Sequence, residues 1–447
     1  MRKLVLLFLL ILPLLPGLEL MAQERPKNLA LVENPPLVPI EMRRPGFWIS
    51  RHPAPDSLLM DAAQIATFNR MVQRKGDLGQ IMESSPTIRA NHLKKQINDC
   101  FNLAKATGKF TQDGSPPTAD FWPFMKQQTN LTAIKASQNT RFAFPKRFTN
   151  QRLIPYPGIL SKIALDTEFD YIQNSGFDVA EPLVIYHDSK DGNWVFGAGR
   201  ASSGWFLKED LVFLDRVAWL QYQQAGAFVI SIADKSDLYL DEARTRYLGL
   251  IRLGTRLPLI AEHATVFEVL LPTQQSAYIA KRDLHLGFVP YTARNVYELA
   301  FSTLNAPYGW GDLNAEYDCS GLLKQLFQCF GIYLPRNGGA QYSAGHTLYE
   351  FAAGESSRER EARIAEKGIP AQTMMRMPGH IMLYLGSVEG KSYALHALWG
   401  ISRPSGEGKD EVIAANKTLV SDLSLSEGSK RKSLLLRLTA ISAVKHE

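Results

Sequence analysis

The chain of 447 residues contains only three cysteines, which is too few for a disulfide-stabilised scaffold. Cys319 and Cys329 lie on one predicted helix, where ten residues separate their Cα atoms by about 15 Å, beyond disulfide reach. Cys100 could pair with either of them in principle, but no motif around it supplies a partner. We therefore predict that Cys100 is a structural thiol and that Cys319 and Cys329 do not bridge each other.

Several other sequence features are absent, and each absence excludes a class of function. The formal net charge is +6, but there is no dense basic run with interleaved aromatic residues, so nucleic-acid binding is not expected. No paired histidine and carboxylate spacing suggests a metal site, and we expect neither a metal nor another cofactor. No apolar run long enough to cross a membrane follows the first residues, so no transmembrane anchor is expected in the mature chain.

The first residues have the pattern of a secretory signal. Arg2 and Lys3 precede an apolar stretch from Leu4 to Leu15, and Met21-Ala22 places a small residue before Gln23. We predict that residues 1–22 are removed on export and that the mature protein is periplasmic or secreted, in the cell envelope. An exported protein normally buries, pairs or uses its thiols, so a free Cys319 points to a reactive role.

Length and pattern predict a multidomain α+β protein. Residues 23–145 read as a mostly helical N-terminal region, with Asp56-Ser57 as the cap of a helix that continues to Met71. Two series of short β-strands, residues 146–215 and 216–290, predict two small barrels, the first with a hairpin turn at Asp191-Gly192. Its aromatic residues could line a ligand groove, but we interpret them as core: Tyr186, Trp194 and Trp205. Residues 291–447 form the last predicted domain.

That last domain carries the residues with chemical potential. Cys319 follows Asp318 at the predicted start of an apolar helix, where unpaired backbone N–H groups favour a thiolate. His380 begins one predicted strand and His396 lies in the next, so a hairpin would bring them onto one wall of a cleft. A nucleophilic cysteine, a histidine base and a polar group that orients its ring are the parts of a thiol hydrolase. Taken alone, these three residues are better explained as a buried thiol and two ordinary strand-end histidines.

The surrounding motifs decide between these interpretations. Together they closely resemble the NlpC class of papain-like cysteine peptidases, which cut cell-wall peptides: Tyr308-Gly-Trp-Gly, Asp318-Cys-Ser-Gly, Leu334-Pro-Arg336, Pro378-Gly-His-Ile-Met-Leu-Tyr-Leu-Gly386 and His396-Ala397. The resemblance covers roughly residues 290–400 and keeps the order Cys, His, His. The upstream regions resemble a subgroup with a helical N-terminal region and two bacterial SH3-like barrels.

The resemblance implies a role for each matching residue. Cys319 would be the nucleophile, His380 the general base and acid, and His396 the residue that orients it. Asp318 and Ser320 would hold the free amine of the substrate, and Tyr308 would lie near the oxyanion. Because Asp318 should raise the pKa of the neighbouring thiol, we expect a bound ammonium to neutralise an otherwise unpaired carboxylate.

The implied activity is cleavage between γ-D-glutamate and a diamino acid in peptides with a free N-terminal L-alanine. The expected partners are peptidoglycan or released murein peptides, and a monomer is expected. One departure from compact relatives is a charged segment at 356–368 with a capping box at Ser356 and Glu359, interpreted as a solvated helix rather than a lid. Two alternatives stay open: a non-catalytic wall-binding protein, and a thiol amidase or acyltransferase on the same fold.

Overall fold

A computed structural model describes residues 38–75, 78–79, 81–405 and 408–446. The predicted secretory signal at residues 1–22 lies outside this range. Within the described residues, no helix has both the length and the apolar character needed to cross a bilayer.

The N-terminal region contains helices joined by long loops. Its regular elements are α1 (Pro45–Ile49), α2 (Ala62–Arg74), β1 (Thr87–Arg89), α3 (Ala90–Thr107), β2 (Phe110–Thr111), α4 (Phe121–Gln128) and β3 (Ser137–Asn139). The predicted helix start at Asp56-Ser57 is wrong. Asp61 caps α2 instead, because its side chain accepts a hydrogen bond from Gln64 N at 2.8 Å while Gln64 bonds back to the backbone of Asp61.

This region does not pack as one unit, in contrast to the sequence-based division. Trp48, Phe68 and Val72 are buried in the same core cluster as Phe327 of the C-terminal domain. Helix α3 instead covers the first barrel, where Leu93 and Ile97 share a cluster with Trp194, Phe196 and Trp205. The interpretation of Trp194 and Trp205 as core residues is thus confirmed, and Tyr186 is half-buried beside them.

The first predicted barrel contains a seven-stranded antiparallel sheet that begins earlier than the sequence suggested, at Arg141. The strands of this part are β4 (Arg141–Pro145), β5 (Thr149–Arg152), β6 (Leu160–Ser161), β7 (Gln173–Phe177), β8 (Leu183–Asp188), β9 (Trp194–Ala198), β10 (Ser203–Leu207) and β11 (Leu211–Leu214). The sheet order is β11-β4-β8-β9-β10-β5-β7, while β6 pairs with β2. Helix α5 (Arg216–Gln223) leads to the second barrel.

The second barrel is another seven-stranded sheet. Its strands are β12 (Phe228–Ser231), β13 (Lys235–Tyr239), β14 (Tyr247–Arg252), β15 (Arg256–Glu262), β16 (Val266–Leu270), β17 (Ser276–Ala280) and β18 (Leu284–Leu286). The two barrels share one core cluster, in which Phe144 and Trp219 pack with Val229 and Ile279. Each barrel therefore depends on its neighbour for part of its buried surface.

The C-terminal domain packs helices against a six-stranded antiparallel sheet of order β19-β24-β20-β21-β22-β23. Its elements are α6 (Ala293–Ser302), α7 (Cys319–Gln328), α8 (Gly338–Ala344), β19 (His346–Glu350), α9 (Ser357–Lys367), β20 (Thr373–Met377), β21 (His380–Val388), β22 (Lys391–Pro404), β23 (Asp410–Asp422), α10 (Leu434–Arg437) and β24 (Ala440–Ala443). The last strand, β24, lies between β19 and β20, so the C-terminal residues of the described chain are an integral part of the sheet.

Helix α9 occupies the charged segment singled out in the sequence. It has the predicted Ser356–Glu359 capping box and ends before Gly368. One face of the helix is buried. Ile364 packs in a hydrophobic cluster with side chains of the six-stranded sheet, and Arg360 donates to the carbonyls of Leu435 and Leu438. The helix is therefore held against the sheet rather than fully solvated.

Candidate active site

Cys319 is the first residue of α7, as the sequence predicts. The Asp318 side chain caps the helix by accepting a hydrogen bond from Gly321 N at 2.7 Å. The thiol is half-buried, and the backbone N–H groups of Ser320 and Ile381 lie near its sulfur, where they favour the thiolate. Because Ile381 directly follows His380 on β21, this contact puts the sulfur beside the strand that carries the predicted base.

The two predicted histidines lie on neighbouring antiparallel strands, β21 and β22. His380 Nε2 lies 2.7 Å from His396 Nδ1, and His396 Nε2 lies 3.0 Å from the Oγ of Ser421 on β23. If His380 takes a proton on Nδ1, it donates from Nε2 to His396, which then donates to Ser421. Ser421 completes this relay. No motif marked it, because it lies on β23, 25 residues after His396 and outside the recognised motifs.

Burial sets the protonation states of this group. Burial raises the pKa of the Cys319 thiol to about 12, and the charge of Asp318 acts in the same direction. Burial also lowers the pKa of His380 to about 3, with Arg437 adding to it. The expectation of a thiolate from the helix terminus alone is therefore wrong for the free protein, in which both the thiol and the imidazole of His380 are neutral.

The carboxylate of Asp318 is already paired with a cationic side chain when no ligand is bound. Arg336 binds both of its oxygens, with Nη1–Oδ1 at 3.1 Å and Nη2–Oδ2 at 2.7 Å. Ser320 Oγ bonds to both partners, at 3.0 Å from Asp318 and 2.9 Å from Arg336. Although burial opposes it, Arg336 lowers the pKa of Asp318. The expected unpaired carboxylate is thus wrong, while contact of Asp318 and Ser320 with a substrate amine stays a prediction.

Asp312 is a functional candidate that the sequence analysis missed. It belongs to the glycine-rich loop, where Gly311, Asp312 and Asn314 all have left-handed backbone angles. Its carboxylate is fully buried, and neither oxygen has a hydrogen-bond partner among the described residues. Its Oδ1 lies 3.4 Å from Arg336, so this second carboxylate faces the guanidinium that holds Asp318.

An aromatic wall connects the C-terminal domain to the first barrel. Phe169 lies between Trp310 and Trp399, with ring centroids 5.1 and 4.8 Å away, and 6.5 Å from Tyr308. The neighbouring Glu168 accepts a hydrogen bond from the indole of Trp399. Burial, followed by the charges of Asp318 and Cys319, raises the pKa of Tyr308, as expected for a phenol close to both residues. The barrel loop therefore packs against the glycine-rich loop that precedes Cys319.

Comparison with known families identifies this domain. Residues 305–429 match the NlpC/P60 family model, and residues 161–206 match that of an SH3 domain of the SH3b1 type. The C-terminal part of the chain is an NlpC/P60 domain. The resemblance drawn from the motifs and the α+β multidomain class are both confirmed. The NlpC/P60 domain is a peptidase domain, and it follows an SH3-like domain in the same chain.

Two similar proteins extend this assignment. The chain is 27% identical over 148 residues to a gamma-D-glutamyl-L-lysine dipeptidyl-peptidase of Bacillus cereus (strain ATCC 10987 / NRS 248). That match covers 32% of this chain and 44% of the relative, so the chain spans less than half of the relative's length. A solved NlpC/P60 endopeptidase from Photobacterium damselae subsp. piscicida has a TM-score of 0.73 at 20% identity, covering 90% of this chain and 96% of the other. The common fold thus extends well beyond the NlpC/P60 domain.

Within the described residues, no cluster of His, Cys, Asp and Glu side chains has the arrangement of a metal site.

Proposed function

We propose that this protein is an exported cysteine endopeptidase that cleaves peptidoglycan stem peptides in the turnover or recycling of the cell wall. The observation that carries the proposal is the His380–His396–Ser421 relay, on strands adjacent to a cysteine that starts a helix, within an NlpC/P60 domain. The proposed bond joins γ-D-glutamate to a diamino acid in peptides with a free N-terminal L-alanine. Support for this bond comes from the name of the Bacillus cereus relative.

The proposed reaction begins with two neutral groups. Nδ1 of His380 accepts the thiol proton as the Cys319 sulfur attacks the γ-carbonyl carbon, and the negative charge moves to the carbonyl oxygen. Backbone N–H groups at the start of α7, with Tyr308 nearby, would stabilise that oxygen. His380 then returns its proton to the nitrogen of the diamino acid as the C–N bond breaks. Water hydrolyses the resulting thioester and restores the thiol.

Formation of the imidazolium is the step that the relay assists. His380 must gain a proton in a buried environment that disfavours its charge. The contact between Nε2 of His380 and Nδ1 of His396 directs the new positive charge toward a neutral acceptor, and Ser421 fixes the tautomer of that acceptor. The role of His396 is therefore to orient and stabilise His380.

The first experiment compares the mature chain (residues 23–447) with Cys319→Ala, and with Cys100→Ala as a matched control for loss of a thiol. Each is incubated with L-Ala-γ-D-Glu-L-Lys, L-Ala-γ-D-Glu-diaminopimelate and their N-acetylated forms, and products are followed by mass spectrometry. We expect release of L-Ala-D-Glu by the wild type and Cys100→Ala, and at least about a thousandfold loss in Cys319→Ala. The N-acetylated peptides should be cut far more slowly.

Each possible result bears on a different part of the proposal. No cleavage of any peptide by the wild type would overturn it in favour of the wall-binding alternative. Transfer of the acyl group to an added amine instead of water would identify an acyltransferase. Equal cleavage of free and N-acetylated peptides would leave the peptidase intact and refute the amine recognition assigned to Asp318 and Ser320.

A further inference from the structure

A small cavity lies at the junction of the two barrels and the nucleophile helix, on a side of α7 that the proposed reaction does not use. It has a volume of about 50 Å³, larger than a single water requires. Polar and charged side chains from all three parts line it: Ser175, Arg200, Gln223, Arg256, Lys324 and Tyr333.

Both arginines that line the cavity lack a countercharge among the described residues. Arg200 donates to the Gln223 side chain at 3.3 Å and lies over the ring of Tyr333, while Arg256 donates to the carbonyl of Ala225 at 2.8 Å. Among the described residues, neither guanidinium has a carboxylate within 4 Å, and the Nη1 atom of Arg256 is buried without any hydrogen-bond partner. A buried guanidinium donor without an acceptor is energetically unfavourable. A ligand that accepted a hydrogen bond from this donor would remove that cost.

The charge balance of the cavity is positive. Lys324 also lines it, with its side chain 7% exposed, and lies 3.4 Å from Glu181, the carboxylate among the lining residues. Glu181 therefore offsets Lys324 and leaves the two arginines uncompensated. Burial lowers the pKa of Arg256; Tyr333 and Tyr222 oppose this shift, and the charge of Arg200 adds to it only slightly.

We propose that this cavity binds a small oxyanion, a carboxylate or a phosphate, between Arg200 and Arg256. Planar guanidinium groups match the oxygens of both ligands with paired charge-assisted hydrogen bonds. Arg200 belongs to the first barrel and Arg256 begins β15 of the second, so the ligand connects the two barrels. Ser175 lines the same cavity and accepts a hydrogen bond from Nε of Arg336 at 3.0 Å. Only Ser175 would therefore separate a ligand in the cavity from Arg336, which binds Asp318.

The test measures thermal unfolding of the full mature protein in increasing potassium phosphate, and separately in acetate, with potassium chloride keeping the ionic strength constant. Binding to the native state alone raises Tm with the logarithm of ligand concentration once the site fills. We expect a rise of a few degrees for the wild type and for Arg403→Gln, a matched control at an exposed arginine. The rise should be lost in Arg256→Gln and reduced in Arg200→Gln.

Calorimetric titration of the same ions gives the dissociation constants, which should weaken at least about tenfold in Arg256→Gln. A response to phosphate alone assigns the site to phosphate, and a response to acetate assigns it to carboxylates. An equal response in Arg256→Gln, or one that also occurs with chloride, means an adventitious ion only and overturns the proposal. If Arg256→Gln does not fold, Arg256→Lys keeps the charge but not the paired donors and must still weaken binding.

Discussion

Cys319 begins a helix, yet burial and the charge of Asp318 together raise the pKa of its thiol to about 12. The dipole and first-turn N–H groups of a helix act against that shift but do not reverse it. With the pKa of His380 lowered to about 3 by burial, the pair stays uncharged across the physiological range. Because oxidation proceeds through the thiolate, the raised pKa also slows oxidation of this cysteine.

This neutral pair predicts how Cys319 reacts with iodoacetamide. Only the thiolate is alkylated, and its fraction rises about tenfold for each pH unit below the pKa. We therefore expect the rate of alkylation at Cys319, mapped by mass spectrometry, to rise steadily from pH 7 to pH 10. Cys100, whose pKa is also raised by burial, serves as the internal control. A rate that is already constant above pH 6 would instead indicate a preformed thiolate–imidazolium pair.

At the scale of one element, the start of α7 is fitted to the glycine-rich loop beside it. A Cβ atom on Gly321 would lie 1.9 Å from Oδ1 of the buried Asp312. Asp312 cannot easily move away, because it lies at a left-handed backbone position and its carboxylate faces Arg336. Gly321 is therefore required by packing against a neighbouring loop, whereas helix propensity alone would favour alanine.

We expect Gly321→Ala to displace the first turn of α7 and with it Cys319. The predicted loss in kcat/KM is at least about a hundredfold, with roughly 1–3 kcal/mol of lost stability from overpacking. Peptide cleavage and urea unfolding measure the two effects. Gly339→Ala in α8 is the control, since its Cβ would meet no atom closer than 3.4 Å. Similar results for the two variants would show that the loop adapts at little cost.

For the molecule as a whole, a buried ionic cluster joins both barrels to helix α7. Asp178, between β7 and β8, accepts from Arg252 of the second barrel at 2.8 Å and from Gln325 of α7 at 2.6 Å. The Arg252 and Asp178 side chains are almost completely buried. Such a pair contributes little net stability compared with apolar residues, but loss of one partner leaves a buried charge unpaired.

This arrangement predicts cooperative unfolding of the barrels and the NlpC/P60 domain. Asp178→Ala should lower the free energy of unfolding by roughly 3–5 kcal/mol because Arg252 stays buried without a partner. Asp188→Ala breaks the more exposed Arg141–Asp188 pair and should cost only about 0–1 kcal/mol. Scanning calorimetry checks both values. Separate transitions for barrels and NlpC/P60 domain, or equal losses in the two variants, would contradict this coupling.

The sequence by itself determined the local pieces of this protein: the helix that begins at Cys319, the hairpin with His380 and His396, the capping box of α9 and the class of the C-terminal domain. These depend on short-range periodicity, capping and motif spacing, which neighbouring residues encode directly. The prediction of a helix start at Asp56 was wrong because of tertiary contacts. Leu59 N bonds to Tyr291 O and Asp56 pairs with Arg294, and both partners are more than 200 residues away in the sequence.

Only the tertiary structure decided the electrostatics of the site and the division of the N-terminal region. Ser421 bonds to His396, Arg336 binds the carboxylate of Asp318, and Arg252 pairs with Asp178. The partners in each pair are far apart in the sequence, so no local sequence pattern could predict these contacts. The raised thiol pKa likewise follows from burial by several elements at once. Periodicity marks which face of an element is apolar, but the folded chain alone determines which partner covers that face and which charges come to lie beside each other.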